Sequence, residues 1–257
     1  MKLIKFIFTI LPLCFLNSFG QGFDWQLDAR MPYYISDFYI GGIFDYSTQN
    51  SFGKIPLFEG EYSCCDFTAG NGSQINIGLW SEYWVLPESA LIMGLSYASA
   101  SDNISSQRTI ERIINPDFPP VAWKTEYVAQ GTTQFLNLEF GAKHRFADLG
   151  LFLSLSSLFN IKISQEYSYK ERVISPEYLP FADGSFERQM IDGYLPNSRV
   201  FNISPVLRAG WDIPLSPELY ISPAFMLSAP LFNRFANHDW NDWRYGLTVT
   251  VSNGYKL

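Results

Sequence analysis

The stretch Asn202-Ile203-Ser204-Pro205-Val206-Leu207-Arg208-Ala209-Gly210-Trp211-Asp212-Ile213 decides the fold. Ile203, Pro205, Leu207, Ala209, Trp211 and Ile213 take every second position, while Asn202, Ser204, Arg208, Gly210 and Asp212 take the others, with Val206 the one apolar exception on the polar side. A period of two places the two sets on opposite faces of a strand. One face is free of charge and the other carries Arg208 and Asp212. Seven further segments share the pattern, so strands are read at about 37–48, 74–86, 91–100, 134–146, 149–162, 202–213, 219–227 and 243–253. The fourth sets Leu136, Leu138, Phe140, Ala142 and Phe146 against Asn137, Glu139, Gly141, Lys143 and Arg145.

The connections alternate in length. Tight turns are read at Pro87-Glu88-Ser89, Ala147-Asp148 and Pro214 to Pro217. Between them lie three long polar loops and a shorter one, Asn233 to Asp242; the second long loop, returning through Val121 and Trp123, is expected to carry a strand extension beyond the membrane. A bilayer offers no water to satisfy backbone N–H and C=O groups, so strands that cross it must close into a barrel. Even strand number, short turns on one side and long loops on the other place both termini in the periplasm. The expected fold is all-β: an eight-stranded antiparallel up-and-down transmembrane β-barrel with long extracellular loops.

Residues 1–20 carry Lys2 and Lys5, an apolar run from Phe6 to Leu16, and Ser18-Phe19-Gly20. This reads as a secretory signal peptide cleaved before Gln21. Leu13 precedes Cys14 where a lipoprotein needs a small residue, and the run is shorter than the roughly 20 residues of a spanning helix. Residues 21–36 are expected as an N-terminal periplasmic segment and 37–257 as a single outer-membrane barrel domain. Mean hydropathy is −0.02, but alternating faces hide a barrel in such an average. Aromatic residues make up 17% of the chain, with 22 Phe, 15 Tyr and 7 Trp, enough for interfacial girdles as well as packing.

Loss of Lys2 and Lys5 takes the net charge from −7 to −9, which leaves a nucleic-acid partner without electrostatic footing. Cys64 and Cys65, the cysteines beyond the signal segment, are adjacent and give neither a disulfide framework nor zinc-site spacing. They read as two loop thiols or a vicinal disulfide.

Tyr39-Ile40-Gly41-Gly42 and Phe135-Leu136-Asn137-Leu138-Glu139-Phe140-Gly141-Ala142-Lys143 resemble the small outer-membrane β-barrel domains of Bacteroidota and related bacteria, similar to the OmpA barrel and to PorT-like proteins. Arg244 to Val251 resembles the final-strand signal read by the barrel-assembly machinery, although Val249 and Val251 stand where an aromatic is usual and the chain runs on to Leu257. The resemblance implies localisation to the cell outer membrane, contact with outer-membrane lipid, and the barrel-assembly machinery as a partner during biogenesis. No peptidoglycan-binding domain follows Ser252, so cell-wall tethering is not implied.

Eight strands enclose an interior that side chains fill. Asp45, Glu82, Glu139, Lys143, Arg145, Lys162, Arg208, Asp212 and Arg244 fall on the polar face. They are expected as a structural polar network in the lumen that neutralises itself in ion pairs, since one unpaired buried charge costs roughly 3–5 kcal/mol. His144 is expected outside, as a girdle residue, with no Ser two positions along to make a lipase pair; His238 is expected as a polar loop residue, not a metal ligand. No catalytic residue, cofactor or metal is expected. Phe118, Trp123, Tyr167, Tyr169, Tyr178, Phe181, Phe186 and Tyr194 enrich the long loops and are expected to stack as an ordered crown or to bind a partner.

The leading expectation is therefore a monomeric, non-enzymatic barrel with an envelope structural or surface-recognition role. A PorT-like secretion accessory is its close variant. The alternative is a narrow channel or transporter for small or apolar solutes, for which Gly41, Gly78, Gly150 and Gly210 would leave room in the lumen. A soluble lipocalin-like carrier has the same strand count with the faces reversed.

Overall fold

A computed structural model describes residues 37–56, 66–113, 119–146, 150–193, 198–216, 218–236 and 238–255. The expected signal peptide, the periplasmic segment, the Ala147-Asp148 turn, Cys64, Cys65, Phe118 and Tyr194 lie outside these residues. The strands are β1 (Phe38–Pro56), β2 (Asp66–Leu86), β3 (Ser89–Arg112), β4 (Val121–Phe146), β5 (Leu151–Ser175), β6 (Glu187–Gly193), β7 (Phe201–Trp211), β8 (Ile213–Pro214), β9 (Leu219–Ser228) and β10 (Trp240–Tyr255). All pair antiparallel, in the order β10-β1-β2-β3-β4-β5-β7-β9, and β10 pairs back to β9. Eight strands thus close into a ring. The two-residue β8 prolongs β7 against β9, and β6 pairs on β5 outside the ring.

Ring closure removes every sheet edge within the lipid, as a backbone in hydrocarbon requires. The outward positions there are apolar and exposed: Ile77 and Leu79 on β2, Met93 on β3, Phe140 on β4, Leu207 on β7 and Leu247 on β10. Exposed Tyr83, Phe146, Trp211 and Tyr255 ring the periplasmic end, while Tyr46, Trp243 and Tyr245 mark the outer rim. On β10, residues 243 to 255 at a strand's rise and a barrel's tilt span about 30 Å, the thickness of a hydrocarbon core. The inward set is polar, and Leu207 faces out where Arg208 faces in. The chain is a membrane-spanning barrel and not a lipocalin-like carrier.

The periplasmic ends of the strands fall within two or three residues of the expected positions, but several outer ends run much further. β1 continues eight residues past Thr48, β2 begins eight before Gln74 and β5 reaches Ser175, while β3, ending at Arg112, and β4, starting at Val121, form the strand extension expected in the second long loop. The cause is a reversal of polarity. Beyond the lipid, outward side chains meet water, so Asn103, Ser105 and Gln107 line the outside of β3 while Ile104 points in and is buried. A register shift between Gln134 and Phe135, opposite Lys162 and Ser164, switches β5 from even to odd inward positions. Tyr167, Tyr169 and Glu171 are thereby buried inside.

The two polarities give the barrel two kinds of core. Within the lipid, small apolar clusters such as Tyr39, Trp84, Ala90 and Tyr220 pack against the polar layers. Above it, Ile55, Phe67, Ile104, Tyr127, Tyr169, Phe235 and Trp240 join Ala129 and Tyr167 in one apolar core. This upper part is built as a water-soluble barrel would be.

Candidate functional site in the lumen and at the mouth

Eight of the nine charged residues expected on the lumen face, Asp45, Glu82, Glu139, Lys143, Arg145, Arg208, Asp212 and Arg244, point inward and are buried. Four are acids and four are bases, so the set is neutral as a whole. The structure sorts them into layers. In the deepest, Lys143 Nζ donates to Glu82 Oε1 at 3.0 Å and to Asp212 Oδ1 at 2.8 Å. Arg145 Nε donates to the other oxygen of Asp212 at 2.7 Å. The hydroxyls of Ser222 and Tyr220 donate to Asp212 and Glu82, and the Arg145 guanidinium stacks 3.8 Å from the centroid of Trp84. Two cations, two carboxylates and an aromatic plate fill the cross-section.

In the next layer Arg208 forks onto Glu139, with Nη2 to Oε2 at 3.0 Å, and lies 3.8 Å from Asp45. Asn76 Nδ2 donates to Asp45 at 2.7 Å, and the Ser156 hydroxyl donates to Glu139. Val206, the apolar exception, belongs to a small inward cluster with Leu158 and Met226. Arg244 stands above, donating to Gln74 Oε1 at 2.8 Å and to Ser228 Oγ at 3.3 Å. Lys162 is only half-buried and makes no ion pair among the described residues; it donates to Ser198 and to Gln165 Oε1.

The glycines expected to leave lumen space do something else. A Cβ on Gly41, Gly78 or Gly210 would lie 1.7, 2.3 or 2.2 Å from a carbonyl oxygen of the adjacent strand. These positions let neighbouring backbones approach closely and provide no vacancy. Gly150 instead adopts a positive φ of 65° where the chain enters β5.

A second closure lies at the mouth, in the segment between β9 and β10. It is a plug rather than a simple polar loop. Arg199 N donates to Arg234 O, Arg234 N donates to Trp240 O, and an isolated bridge ties Ser198 to Phe235. This turns Phe235 and Trp240 into the upper apolar core, both with no exposed surface. Arg234 reaches Asp102 on β3 at 2.6 Å, Thr133 at 3.2 Å and the Tyr167 oxygen at 2.9 Å, with Asp242 3.6 Å away. Gln49 and the Tyr167 hydroxyl also donate to Asp102. Asp102 and Arg234 were not among the expected lumen residues. Their one signal in sequence is Phe235 and Trp240, two large aromatics in an otherwise polar connection.

Burial raises the Tyr169 hydroxyl to about 12. Burial likewise raises Tyr167, and the charge of Asp102 adds to the shift while Arg234 opposes it. A phenol with a raised folded pKa gives its full stability below its unfolded value, about 10, and loses it as pH climbs through the folded value. In an alkaline absorbance titration of the folded barrel, both tyrosines should therefore stay protonated at pH 11. Tyr169→Phe should delete a step near 12; an unchanged titration curve would contradict this burial.

The crown is ordered by specific contacts. Trp123 packs edge-on against Phe181 at 5.4 Å, Arg188 covers the other ring, and Arg188 and Arg172 pair with Glu171 and Glu126. Tyr178 and Phe186 remain exposed. At the opposite end His144 faces outward beside Phe146, as expected for a girdle residue, and Ser89 across the strand pair lies 3.0 Å from its Nδ1. Among the described residues no carboxylate or amide side chain hydrogen-bonds His144 to orient it as a catalytic base. His238 belongs to no cluster of three metal-ligating side chains, and none occurs among the described residues.

No family model and no curated protein sequence matches the chain. Among solved structures it is similar to Ail, the attachment invasion locus protein of Yersinia pestis, at 9% identity, covering 83% of this chain and 97% of that one with a TM-score of 0.31. It is also similar to the outer membrane protease OmpT from Escherichia coli at 9% identity, over 85% and 96% of the two chains, with a TM-score of 0.38. The outer membrane protein AlkL gives 10% identity over 86% and 91%, with a TM-score of 0.38. Likenesses this distant assign no activity. The architecture is that of an outer-membrane β-barrel, on this chain's own closed ring, apolar exterior and polar interior.

Proposed function

We propose that the protein is a non-enzymatic, non-conducting barrel of the outer membrane that holds a rigid surface-recognition platform above the lipid. The observation that carries this reading is the double closure of the lumen. Ion-paired layers fill it within the membrane, and an aromatic core with its own plug fills it above. A chain that conducted solutes would have no use for two independent seals. Nor would a merely structural barrel need strands prolonged beyond the lipid and a crown stiffened by stacked arginines.

On this reading the exposed Ile113, Tyr178 and Phe186 of the crown are the contact points for a partner, held apart from the membrane on stiff hairpins. The barrel is monomeric, with lipid as its lateral neighbour, and its final strand engages the assembly machinery during insertion. Planar-bilayer recording tests the central point. The purified barrel should show no stable openings over long traces, whereas discrete, repeatable current steps would support the channel alternative and remove this proposal.

A further inference from the structure

Between the plug and the Arg208 layer lies a cavity of about 60 Å³. At roughly 10–15 Å³ for each water it holds several waters, or one tetrahedral oxyanion. Its wall carries Lys162, Arg199, Arg234 and Arg244 but only one carboxylate, Asp242. Even with Asp102 counted as the partner of Arg234, cations outnumber carboxylates four to two. That is the reverse of the chain as a whole, whose net charge is −7.

Three details turn this surplus into a site. Lys162 spends its donors on neutral acceptors, Ser198 and Gln165. Arg244 likewise directs its hydrogen bonds to neutral groups, Gln74 and Ser228, with Asp242, Asp45 and Glu139 acting on it only through space. Gln165 Nε2, a buried donor on the same wall, has no partner at all. Elsewhere in the lumen the cations sit against carboxylates, because an unbalanced buried charge is costly. Here Asp102 and Asp242 answer the buried Arg234 and Arg244, while the half-buried Lys162 and the exposed Arg199 meet no carboxylate among the described residues and border space that would admit an anion.

We infer that this cavity binds a phosphate group, with Lys162, Arg244 and Gln165 as its donors and Arg199 at its edge. The group reaches it from the outer rim of the lipid band. Ser198, Arg199 and Asn202 on the wall flank Val200 and Phe201, and Pro230 precedes Leu231 and Phe232; these four apolar neighbours are all exposed. Arg199 itself lies over the Phe232 ring at 6.0 Å. A free phosphate enters through the mouth side of this rim, and a phosphorylated lipid headgroup from its membrane side.

The test uses the full barrel folded in phosphate-free detergent micelles. Isothermal titration with inorganic phosphate examines the free source. Thermal unfolding in micelles doped with lipid A, compared with dephosphorylated lipid A, examines the lipid source. Saturable phosphate binding, or a higher unfolding midpoint with the phosphorylated lipid alone, supports the site and tells which source serves it. Lys162→Gln and Arg199→Gln should each weaken that response roughly tenfold or more, the loss expected from one charge-assisted hydrogen bond. Lys170→Gln, on the exposed β5–β6 hairpin, should leave it unchanged. No response to either source, or equal weakening by Lys170→Gln, overturns the inference. Neither outcome bears on conductance, so the site and the closed-barrel reading stand or fall separately.

Discussion

Asp212→Ala should lower the stability of the folded barrel by roughly 3–5 kcal/mol, read as a drop in the midpoint of urea unfolding from lipid vesicles. Asp212 is the carboxylate that two buried cations share: Lys143 on one oxygen and Arg145 on the other. Lys143 keeps Glu82 after the substitution, but the buried Arg145 loses the carboxylate that faces it. The magnitude comes from taking a carboxylate away from a buried cation and not from the pair's own worth, which desolvation largely offsets. The double variant Asp212→Ala, Arg145→Met should therefore recover more than half of the loss, because it removes the charge along with its partner. Glu187→Ala serves as the outside comparison. Its pair with Lys170 is water-exposed, and the midpoint should not move measurably. If Asp212→Ala were as stable as the native chain, the layer would not be the compact ion-pair network that closes the lumen. If the double variant were as weak as the single, the loss would reflect packing around Asp212 instead of charge.

The residues of this layer were legible in sequence because one physical rule governs them. Wherever a strand crosses lipid, every second side chain must be apolar, and any charge falls by elimination on the inner face. Asp45, Glu139, Lys143, Arg208 and Arg244 follow from that rule without knowledge of their partners. Who pairs with whom did not follow, since Arg208 and Glu139 are 69 residues apart and meet only through the register of the closed ring. The mouth was illegible for a different reason. Above the lipid the rule reverses, so Ile104 and Tyr169 point inward while serines and asparagines point out, and apart from the extension expected through Val121 and Trp123 the same alternation reads as a polar loop. The register shift in β5 compounds this by moving Tyr167 and Tyr169 onto the inner face. Arg234 lay further out of reach still. Its contact with Asp102 spans 132 residues and depends on a connection folding back into the barrel, for which neither periodicity nor spacing leaves a trace.

Trp240→Ala should open the crown while leaving the membrane-embedded ring in place. The indole has no exposed surface, meets Phe235 edge-on at 6.5 Å and packs in the core that joins β1 through β5 above the lipid. Gly70 is cut away to receive it, since a Cβ there would sit 3.3 Å from Trp240 Cζ2. Truncating a buried Trp to Ala costs about 3–5 kcal/mol, and here the loss falls on a part of the molecule that owes its order to this one apolar core. Strand ends that share no lipid support fray first when such a core is removed. Limited trypsin digestion should accordingly cut the variant at Lys54, Arg108 or Lys124, on the prolonged strands, much faster than the native chain. Trp240→Phe, which retains most of the ring, should restore resistance; the indole nitrogen has no hydrogen-bond partner whose loss would matter. The Lys143 and Arg208 layers lie below and do not depend on the plug, so the clipped barrel should still remain electrically silent in a planar bilayer. Loss of the entire barrel in one step would show that crown and ring form a single cooperative unit, and current through a folded Trp240→Ala barrel would show that the plug is the only effective seal.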